Sequence, residues 1–245
     1  MKAIVLGAGK GTRLQSEKFQ MPKVLRQANG RALIDYVLEH IDFIPQEDTV
    51  VVVGYKKEDV RQALSAGNYL FSDQDQQLGT GHAVNCAREH FEAYDGDVLV
   101  LYGDMPLLSK ATYQKIIDQH KSSGADCTIM TAVVDEPLPY GRIIKDASGN
   151  LLDIVETKDC TPEQLAVKEL NIGVYVFNSP MLFENLKELK NNNAQGEYYL
   201  TDIPKILLKK GAKISTCTVC DNTEIFGVNT LEDLEFCEAK LKTEA

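Results

Sequence analysis

The sequence predicts an α/β fold with a largely parallel sheet, to which a smaller β-rich lobe is added. Over residues 1–135, short apolar runs typical of buried parallel strands alternate with segments whose apolar residues have helical spacing. After Pro137 the strand candidates are separated by turn signals such as residues 147–150, which indicates a lobe rather than further βαβ units. No internal repeat is found, so we expect one domain.

The apolar pattern predicts each element in turn. For example, Leu33, Ile34, Val37, Leu38 and Ile41 mark one face of a helix. The predicted strands are 2–6, 49–53, 68–71, 97–101, 127–134, 142–145, 151–155, 172–177 and 214–220. The predicted helices are 33–41, 57–64, 79–91, 113–120, 200–210 and a C-terminal helix within 230–245. We divide the domain into a core (1–135), a lobe that returns to the core (136–229) and the C-terminal helix (230–245).

The composition, 44% hydrophobic and 25% charged over 245 residues, is that of an ordinary globular protein. Its apolar runs are far shorter than the roughly 20 residues of a membrane helix. No signal-peptide pattern follows Met1. We therefore expect a cytoplasmic protein without a membrane span.

The six cysteines are scattered, and only Cys217 and Cys220 form a CxxC pair. A structural zinc site needs a second pair or nearby histidines. The sequence offers neither, so reduced packing cysteines are the preferred interpretation.

The charge distribution points to a small anion rather than to a polymer. The formal net charge of −10 argues against binding to nucleic acid or to an anionic membrane. Residues 10–26 are nevertheless basic, with a single acid, Glu17. The basic residues of this island are Lys10, Arg13, Lys18, Lys23 and Arg26. A basic island beside a glycine turn favours a small polyanionic ligand.

The glycine turn fits neither of two common phosphate-binding patterns. Gly7, Gly9 and Gly11 are spaced two apart, and Thr12 stands where a dinucleotide fingerprint needs its third glycine. A Walker A loop needs Ser or Thr after Gly-Lys, whereas Lys10 is followed by Gly11. The pattern that remains is a strand followed by G-x-G-x-G-T-R and, about ten residues after Arg13, by P-K. Its cations can face a triphosphate, or they can form the solvated face of a tight turn.

The glycine loop is one of a series of motifs that occur along the whole chain. They are "LGAGKGTR" with "MPKVL", "QLGTGHA", "LYGDMPLL", "YGRI", "IVETKD", "ELNIGVYVF", "NNNAQGEYYLTD" and "GVNT". In order and approximate spacing they resemble the uridylyltransferase domain of bacterial N-acetylglucosamine-1-phosphate uridylyltransferases, from Met1 to about Leu234. The first motif is common to sugar nucleotidyltransferases as a group, whereas "NNNAQGEYYLTD" is much more specific. Gly7 departs from the family, which usually has alanine there.

The resemblance implies an open, mixed, mostly parallel Rossmann-like sheet with helices on both faces. It also implies that UTP and N-acetylglucosamine 1-phosphate react to give UDP-N-acetylglucosamine and pyrophosphate, with Mg²⁺ as cofactor. The implied nucleotide-binding residues are Leu6, Gly7, Ala8, Gly9, Gly11, Thr12, Gln74, Gln77, Gly79 and Thr80. The implied sugar-phosphate residues, mostly in the lobe, are Tyr102, Gly103, Gly141, Glu156, Asn171, Tyr199 and Thr201. Asp104 and Asn229 would bind the metal, and Arg13 and Lys23 would be the catalytic residues that contact the reacting phosphates.

Each implied role competes with a structural one. An Asp after a strand, such as Asp104, is often a cap, and Asn229 precedes a predicted helix that it could cap. Glu156 could be a solvated charge, and Tyr199 a core aromatic. His82, the only histidine within a motif, is interpreted as helix packing or loop support rather than as a proton carrier.

The sequence leaves two other functions open. One is nucleotidyl transfer to another sugar 1-phosphate such as glucose 1-phosphate; the other is a nucleotide-sugar sensor without turnover. Retention of Arg13, Lys23, Asp104 and Asn229 together argues against the sensor. No hexapeptide repeats occur, so we expect no left-handed β-helix acetyltransferase domain in these residues. The oligomeric state is not predicted.

Overall fold

The computed structural model describes residues 1–14 and 16–243, without the side chains of Thr12, Ser16 and Glu17. The strands are β1 Lys2–Leu6, β2 Gln27–Ala28, β3 Arg31–Ala32, β4 Thr49–Val53, β5 Leu70–Asp73, β6 Asp97–Tyr102, β7 Cys127–Val133, β8 Gly141–Lys145, β9 Leu151–Val155, β10 Glu169–Asn178 and β11 Ile214–Thr218. The α-helices are α1 Ser16–Phe19, α2 Leu33–His40, α3 Lys57–Ala63, α4 Thr80–Cys86, α5 Lys110–Ser123, α6 Pro162–Leu165, α7 Ser179–Asn185, α8 Asp202–Lys209 and α9 Leu231–Thr243.

The main sheet has the strand order β11-β7-β10-β6-β1-β4-β5. β6, β1, β4 and β5 are parallel neighbours, and so are β11 and β7. Between these two groups lies β10, which is antiparallel to both β6 and β7. The β8–β9 hairpin pairs with β10 through β8. The predicted mixed, mostly parallel sheet is confirmed.

Helices cover both faces of this sheet because its strands are apolar on both sides. From β1, Ala3 and Val5 pack into a core cluster with α2, α3 and α5. Their neighbours Ile4 and Leu6 pack into a second cluster with α4, α7 and α8. Alternate residues of a strand point to opposite faces, so one short run serves two cores.

The structure differs from the predicted elements in a few places. The strand expected at 68–71 lies at Leu70–Asp73, and the helix expected at 79–91 is divided into α4 and a 3₁₀ turn at Arg88–Phe91. The short β2–β3 hairpin, α6 and α7 carry no strong periodic signal and were not predicted. β10 extends well beyond 172–177 and lies in the middle of the main sheet. The division into core and lobe stays a prediction.

A third, smaller cluster ties the C-terminal helix to the glycine-loop side of the molecule. Leu234 and Cys237 of α9 pack with Leu14, Leu33 and Val228. The backbone N–H of Val228 donates to the carbonyl oxygen of Asp104 at 2.9 Å. The segment before α9 is thereby fixed at the end of β6. No described helix has the length and apolarity needed to span a bilayer.

Candidate functional site

Two adjacent cavities lie at the carboxyl ends of β1 and β6, the edge where open α/β sheets bind ligands. The glycine-loop cavity, about 320 Å³, is lined by Leu6, Gly7, Ala8, Gly9, Lys23, Val24, Gln74, Gln77, Gly79, Thr80, Ala83, Tyr102, Asp104, Glu197 and Asn229. The lobe cavity, about 200 Å³, is lined by Tyr102, Asp104, Met105, Pro139, Tyr140, Gly141, Glu156, Asn171, Ile172, Gly173, Gly227 and Asn229. Tyr102, Asp104 and Asn229 form the wall that both cavities share.

Most of the predicted nucleotide residues line the first cavity and most of the predicted sugar-phosphate residues line the second. A larger cavity of about 550 Å³ lies beside α2, between Arg31 and Tyr69. None of the predicted site residues lines it. Convergence of the motifs, rather than cavity size, identifies the candidate site.

The glycine loop continues the direction of β1 before it turns. The N–H of Gly7 donates to Val52 O at 2.9 Å, and the N–H of Tyr55 donates to Ala8 O at 3.3 Å. A Cβ on Gly7 would lie 3.3 Å from Val52 O, a tight contact, so the missing methyl relieves a contact of the loop. The loop thus holds its backbone against β4 while it lines the cavity.

The segment after β5 forms the opposite wall, and its conformation requires glycine at position 79. Gly79 has φ +109°, and a Cβ there would lie 2.6 Å from Tyr198 O. The N–H of Gly81 donates to Tyr198 O, and the N–H of Tyr198 donates to Leu78 O, both at 2.8 Å. These bonds connect the two motifs "QLGTGHA" and "NNNAQGEYYLTD" across more than a hundred residues.

Asp104 and Asn229 are brought together, as the resemblance implies. The Lys23 ammonium contacts Asp104 Oδ2 and donates to Asn229 Oδ1 at 2.9 Å. Arg13 donates to the same Oδ1 at 3.2 Å. The Nδ2 of Asn229 donates to Gly227 O at 3.0 Å, which leaves Oδ1 to face the cations.

The capping interpretation of Asn229 is wrong, because the next residue caps α9. Thr230 Oγ1 accepts from the N–H of Asp233 at 3.1 Å, and Asp233 Oδ2 accepts from the N–H of Thr230 at 2.8 Å. This reciprocal pair is a capping box. The Asn229 side chain takes no part in it.

The residues around Asp104 fit a hard divalent cation. One carboxylate and one amide oxygen already converge on a cationic group, the Lys23 ammonium. Oxygen donors of this kind suit Mg²⁺, which takes its other ligands from water and substrate phosphates. Among the side chains that the structure describes, no group of three or more His, Cys, Asp or Glu could hold a metal ion.

In the lobe cavity the central acid is Glu156. Its Oε1 accepts from Thr201 Oγ1 at 3.0 Å, and burial raises the pKa of its carboxyl above the usual range. Burial also raises the pKa of the Tyr102 hydroxyl, helped by the Glu156 and Asp104 charges. The buried Asn171 donates to Tyr175 Oη at 2.7 Å and keeps a second amide hydrogen for a ligand.

Some predicted residues stand behind the cavity walls instead of lining them. Thr201 Oγ1 donates to Glu156 Oε1, while Tyr199 donates to Asp159 Oδ2 at 3.2 Å. Burial raises the pKa of Tyr199 to about 12. Gly103 packs against Val24, since a Cβ there would lie 3.1 Å from its Cγ1. Gly11, at φ +64°, turns the loop. The Thr12 side chain lies outside the described residues.

The basic island divides into two parts. Arg13 and Lys23 converge on Asn229, whereas the Arg26 guanidinium lies over the Phe19 ring at 4.3 Å. Lys18 is exposed and lies 5.9 Å from the same ring. Only part of the positive charge therefore faces the cavities.

Sequence reasoning missed Tyr140, which joins the lobe to the return segment. Its hydroxyl donates to Ile225 O at 2.6 Å and accepts from the N–H of Gly227 at 3.2 Å. Burial raises its pKa to about 12. Its neighbour Gly141 was singled out in "YGRI", so the motif contained the signal. Three other residues that line the cavities also lie within the quoted motifs but were not singled out: Met105, Gly173 and Glu197.

Comparisons with known proteins identify the family of the chain. The profile of the nucleotidyl transferase family matches residues 2–222. The chain is 44% identical over 240 residues to the bifunctional protein GlmU of Clostridium novyi (98% of this chain, 52% of that protein). It is also 44% identical over 226 residues to GlmU of Lactobacillus delbrueckii subsp. bulgaricus (92% and 48%). The chain thus spans about half the length of these curated relatives. These similarities confirm the resemblance that the motifs indicated.

A solved structure of UDP-glucose pyrophosphorylase complexed with UDP-glucose superposes with a TM-score of 0.76 at 18% identity, covering 100% of this chain and 99% of that chain. At this identity the likeness concerns the fold alone. It confirms the predicted open α/β architecture.

Proposed function

Since the chain belongs to the nucleotidyl transferase family, we propose that it transfers a uridylyl group from UTP to N-acetylglucosamine 1-phosphate. The products are UDP-N-acetylglucosamine and pyrophosphate. The motif resemblance to bacterial N-acetylglucosamine-1-phosphate uridylyltransferases supports this choice of nucleotide and sugar, and the 44% identity to GlmU proteins agrees with that resemblance. Because both substrates are phosphorylated metabolites, we place the reaction in the cytoplasm.

One observation carries the proposal: the two cavities share a wall that consists of Tyr102, Asp104 and Asn229. A nucleotide in one cavity and a sugar phosphate in the other would meet at this wall. Two substrates held in contact react as if the step were unimolecular, which accounts for much of the rate of a phosphoryl-transfer enzyme.

In the proposed reaction a phosphate oxygen of the sugar phosphate attacks the α-phosphorus of UTP. The bond between that phosphorus and the oxygen bridging to the β-phosphorus breaks, and pyrophosphate leaves with the electron pair. The nucleophile is already ionised at neutral pH, so no side chain has to remove a proton. The chain's task is to align two anions that repel each other and to neutralise their charge.

Arg13 and Lys23 supply fixed positive charge at the shared wall, where the phosphates would meet. Glu156, half-buried in the lining of the lobe cavity, would accept hydrogen bonds from sugar hydroxyls. Asp104 and Asn229 would hold Mg²⁺, which when bound neutralises charge on the phosphates of UTP.

A substrate panel tests the proposal. Pyrophosphate release would be measured with UTP, CTP, TTP and GTP, each with N-acetylglucosamine 1-phosphate or glucose 1-phosphate, with and without Mg²⁺. The expected best pair is UTP with N-acetylglucosamine 1-phosphate, in the presence of Mg²⁺ only. Equal or better turnover with glucose 1-phosphate would overturn the sugar assignment, and no release with any pair would favour a sensor.

A further inference from the structure

Two hydrogen bonds fix the orientation of the Gln74 side-chain amide. Its Nε2 lies 3.0 Å from Gly79 O and 3.1 Å from His82 Nδ1. Because a carbonyl oxygen can only accept, the NH₂ group must be the end that faces Gly79. Both amide hydrogens are then engaged, one by Gly79 and the other by the His82 ring.

This arrangement also fixes the tautomer of His82. Its Nδ1 must accept from Gln74, so the neutral ring carries its proton on Nε2, which lies 4.0 Å from Cys86 Sγ. Gln74 is only 4% exposed, so water competes little for these bonds.

The other end of the amide is free to meet a ligand. Gln74 lines the glycine-loop cavity, and its Oε1 accepts no hydrogen bond from the part of the chain that the structure describes. A base in that cavity meets Gln74 Oε1 as an acceptor, and the Gln74 amide has no hydrogen left to donate to it. Uracil offers a donor, N3–H, whereas cytosine has a lone pair at the same ring position.

We propose that His82 is a positioning residue that gives the site its preference for uridine over cytidine nucleotides, by holding Gln74 as an acceptor. The inference rests on the proposed function. Without the Nδ1 acceptor, one N–H of Gln74 is released. The amide can then turn and donate to N3 of cytosine, with only the Gly79 bond opposing the rotation.

A matched pair of variants tests this role. In His82→Asn, Oδ1 is attached to Cγ as Nδ1 is in histidine and can accept from Gln74. His82→Phe keeps an aromatic ring and removes the acceptor. The measurement is the ratio of kcat/KM for UTP to that for CTP, with one sugar phosphate throughout. We expect His82→Asn to keep the wild-type ratio within about twofold and His82→Phe to lower it about fivefold or more, as for the loss of one net hydrogen bond.

The ratio is internal to each preparation, so partial misfolding of a variant does not alter it. An unchanged ratio in His82→Phe, or an equal fall in both variants, would overturn the proposal. Dissociation constants of UTP and CTP without sugar phosphate, measured by calorimetry, separate this inference from the proposed function. Preferential UTP binding without pyrophosphate release would refute only the transfer reaction. Turnover that prefers UTP over CTP to the same degree in the wild type and in His82→Phe would refute only the role of His82.

Discussion

The ionised carboxylate of Glu156 serves the proposed binding of the sugar but lowers the stability of the folded chain. Burial raises its pKa, so the folded chain holds this proton more tightly than the unfolded chain does. The destabilisation by the ionised carboxylate is therefore fully present above the folded pKa. It disappears as the pH falls below the pKa of the unfolded chain.

We predict that Glu156→Gln raises Tm by about 2–4 °C at about pH 8, the shift that about 1 kcal/mol produces in a chain of this size, and by less at about pH 5. The amide oxygen can still accept from Thr201. Activity should move the other way, with kcat/KM for the sugar phosphate falling on the order of tenfold, because a charged acceptor binds hydroxyls more strongly. Thermal unfolding at both pH values checks the first part. A Tm at or below wild type at the higher pH would contradict it.

Arg13 should contribute far more to turnover than Lys18, a basic residue five positions away. Its guanidinium donates to Asn229 at the shared wall, so Arg13→Ala should lower turnover on the order of a hundredfold, as loss of a preorganised charge does. Lys18→Ala is the control, since it removes the same charge from an exposed side chain beside Phe19. Steady-state rates with saturating substrates compare them. A loss below about threefold in Arg13→Ala would show that the Arg13 charge does not act on the reaction.

At the scale of elements, the start of α9 combines a helix cap with a proposed metal ligand in adjacent residues. Thr230→Ala removes the cap and should cost about 1 kcal/mol of stability without changing the Mg²⁺ requirement. Asn229→Ala removes a neutral ligand and should keep the wild-type Tm without Mg²⁺, yet need far more Mg²⁺ for activity. Titration of Mg²⁺ against turnover, together with Tm, distinguishes the two. A lower Tm with an unshifted Mg²⁺ midpoint in Asn229→Ala would mean that Asn229 is not a ligand.

The bulge in β10 shapes the shared wall through Gly173. The register of β10 against β7 shifts between Asn171 and Tyr175, and Gly173 has φ +83°. A Cβ there would lie 2.3 Å from Cε2 of Tyr102. Residues other than glycine rarely adopt this backbone conformation, and the Tyr102 ring leaves no space for a Cβ at position 173.

Gly173→Ala should therefore cost more stability than Gly211→Ala. Gly211 has a similar φ of +81°, with nothing within 4 Å of its Cβ position. We expect about 1–2 kcal/mol for the backbone strain at either position and about 1–3 kcal/mol more at Gly173 for the clash. Denaturant unfolding of both variants measures the difference. Equal losses would show that the Tyr102 ring moves aside without cost.

The sequence predicted elements well where the apolar pattern was strong and less well where long-range pairing decides. β1 and β4 have the predicted bounds, because continuous apolar runs of that length suit buried parallel strands. The β2–β3 hairpin has two residues in each strand, too few for a periodic signal. The register of β10, with its bulge, depends on three partner strands that no local pattern reveals.

At the scale of the whole molecule, the site depends on contacts between distant parts of the chain. Lys23 meets Asn229, 206 positions away, because α9 packs beside the glycine loop. Spacing alone could not predict that contact. The family resemblance indicated that Asp104 and Asn229 lie together, but it placed Lys23 at the reacting phosphates rather than against Asn229. The bond between Gln74 and His82, eight positions apart, was missed as well, because the chain between them reverses through Gly79, whose φ of +109° no periodic pattern reveals.

Isotope exchange tests most directly the central claim that the two substrates react with each other across the shared wall. Labelled pyrophosphate would be incubated with the protein, Mg²⁺ and UTP, with and without N-acetylglucosamine 1-phosphate. Direct attack of the sugar phosphate on UTP predicts that label enters UTP only when the sugar phosphate is present. Exchange with UTP alone, at a rate comparable to turnover, would contradict the account, because it requires a covalent uridylyl-protein intermediate.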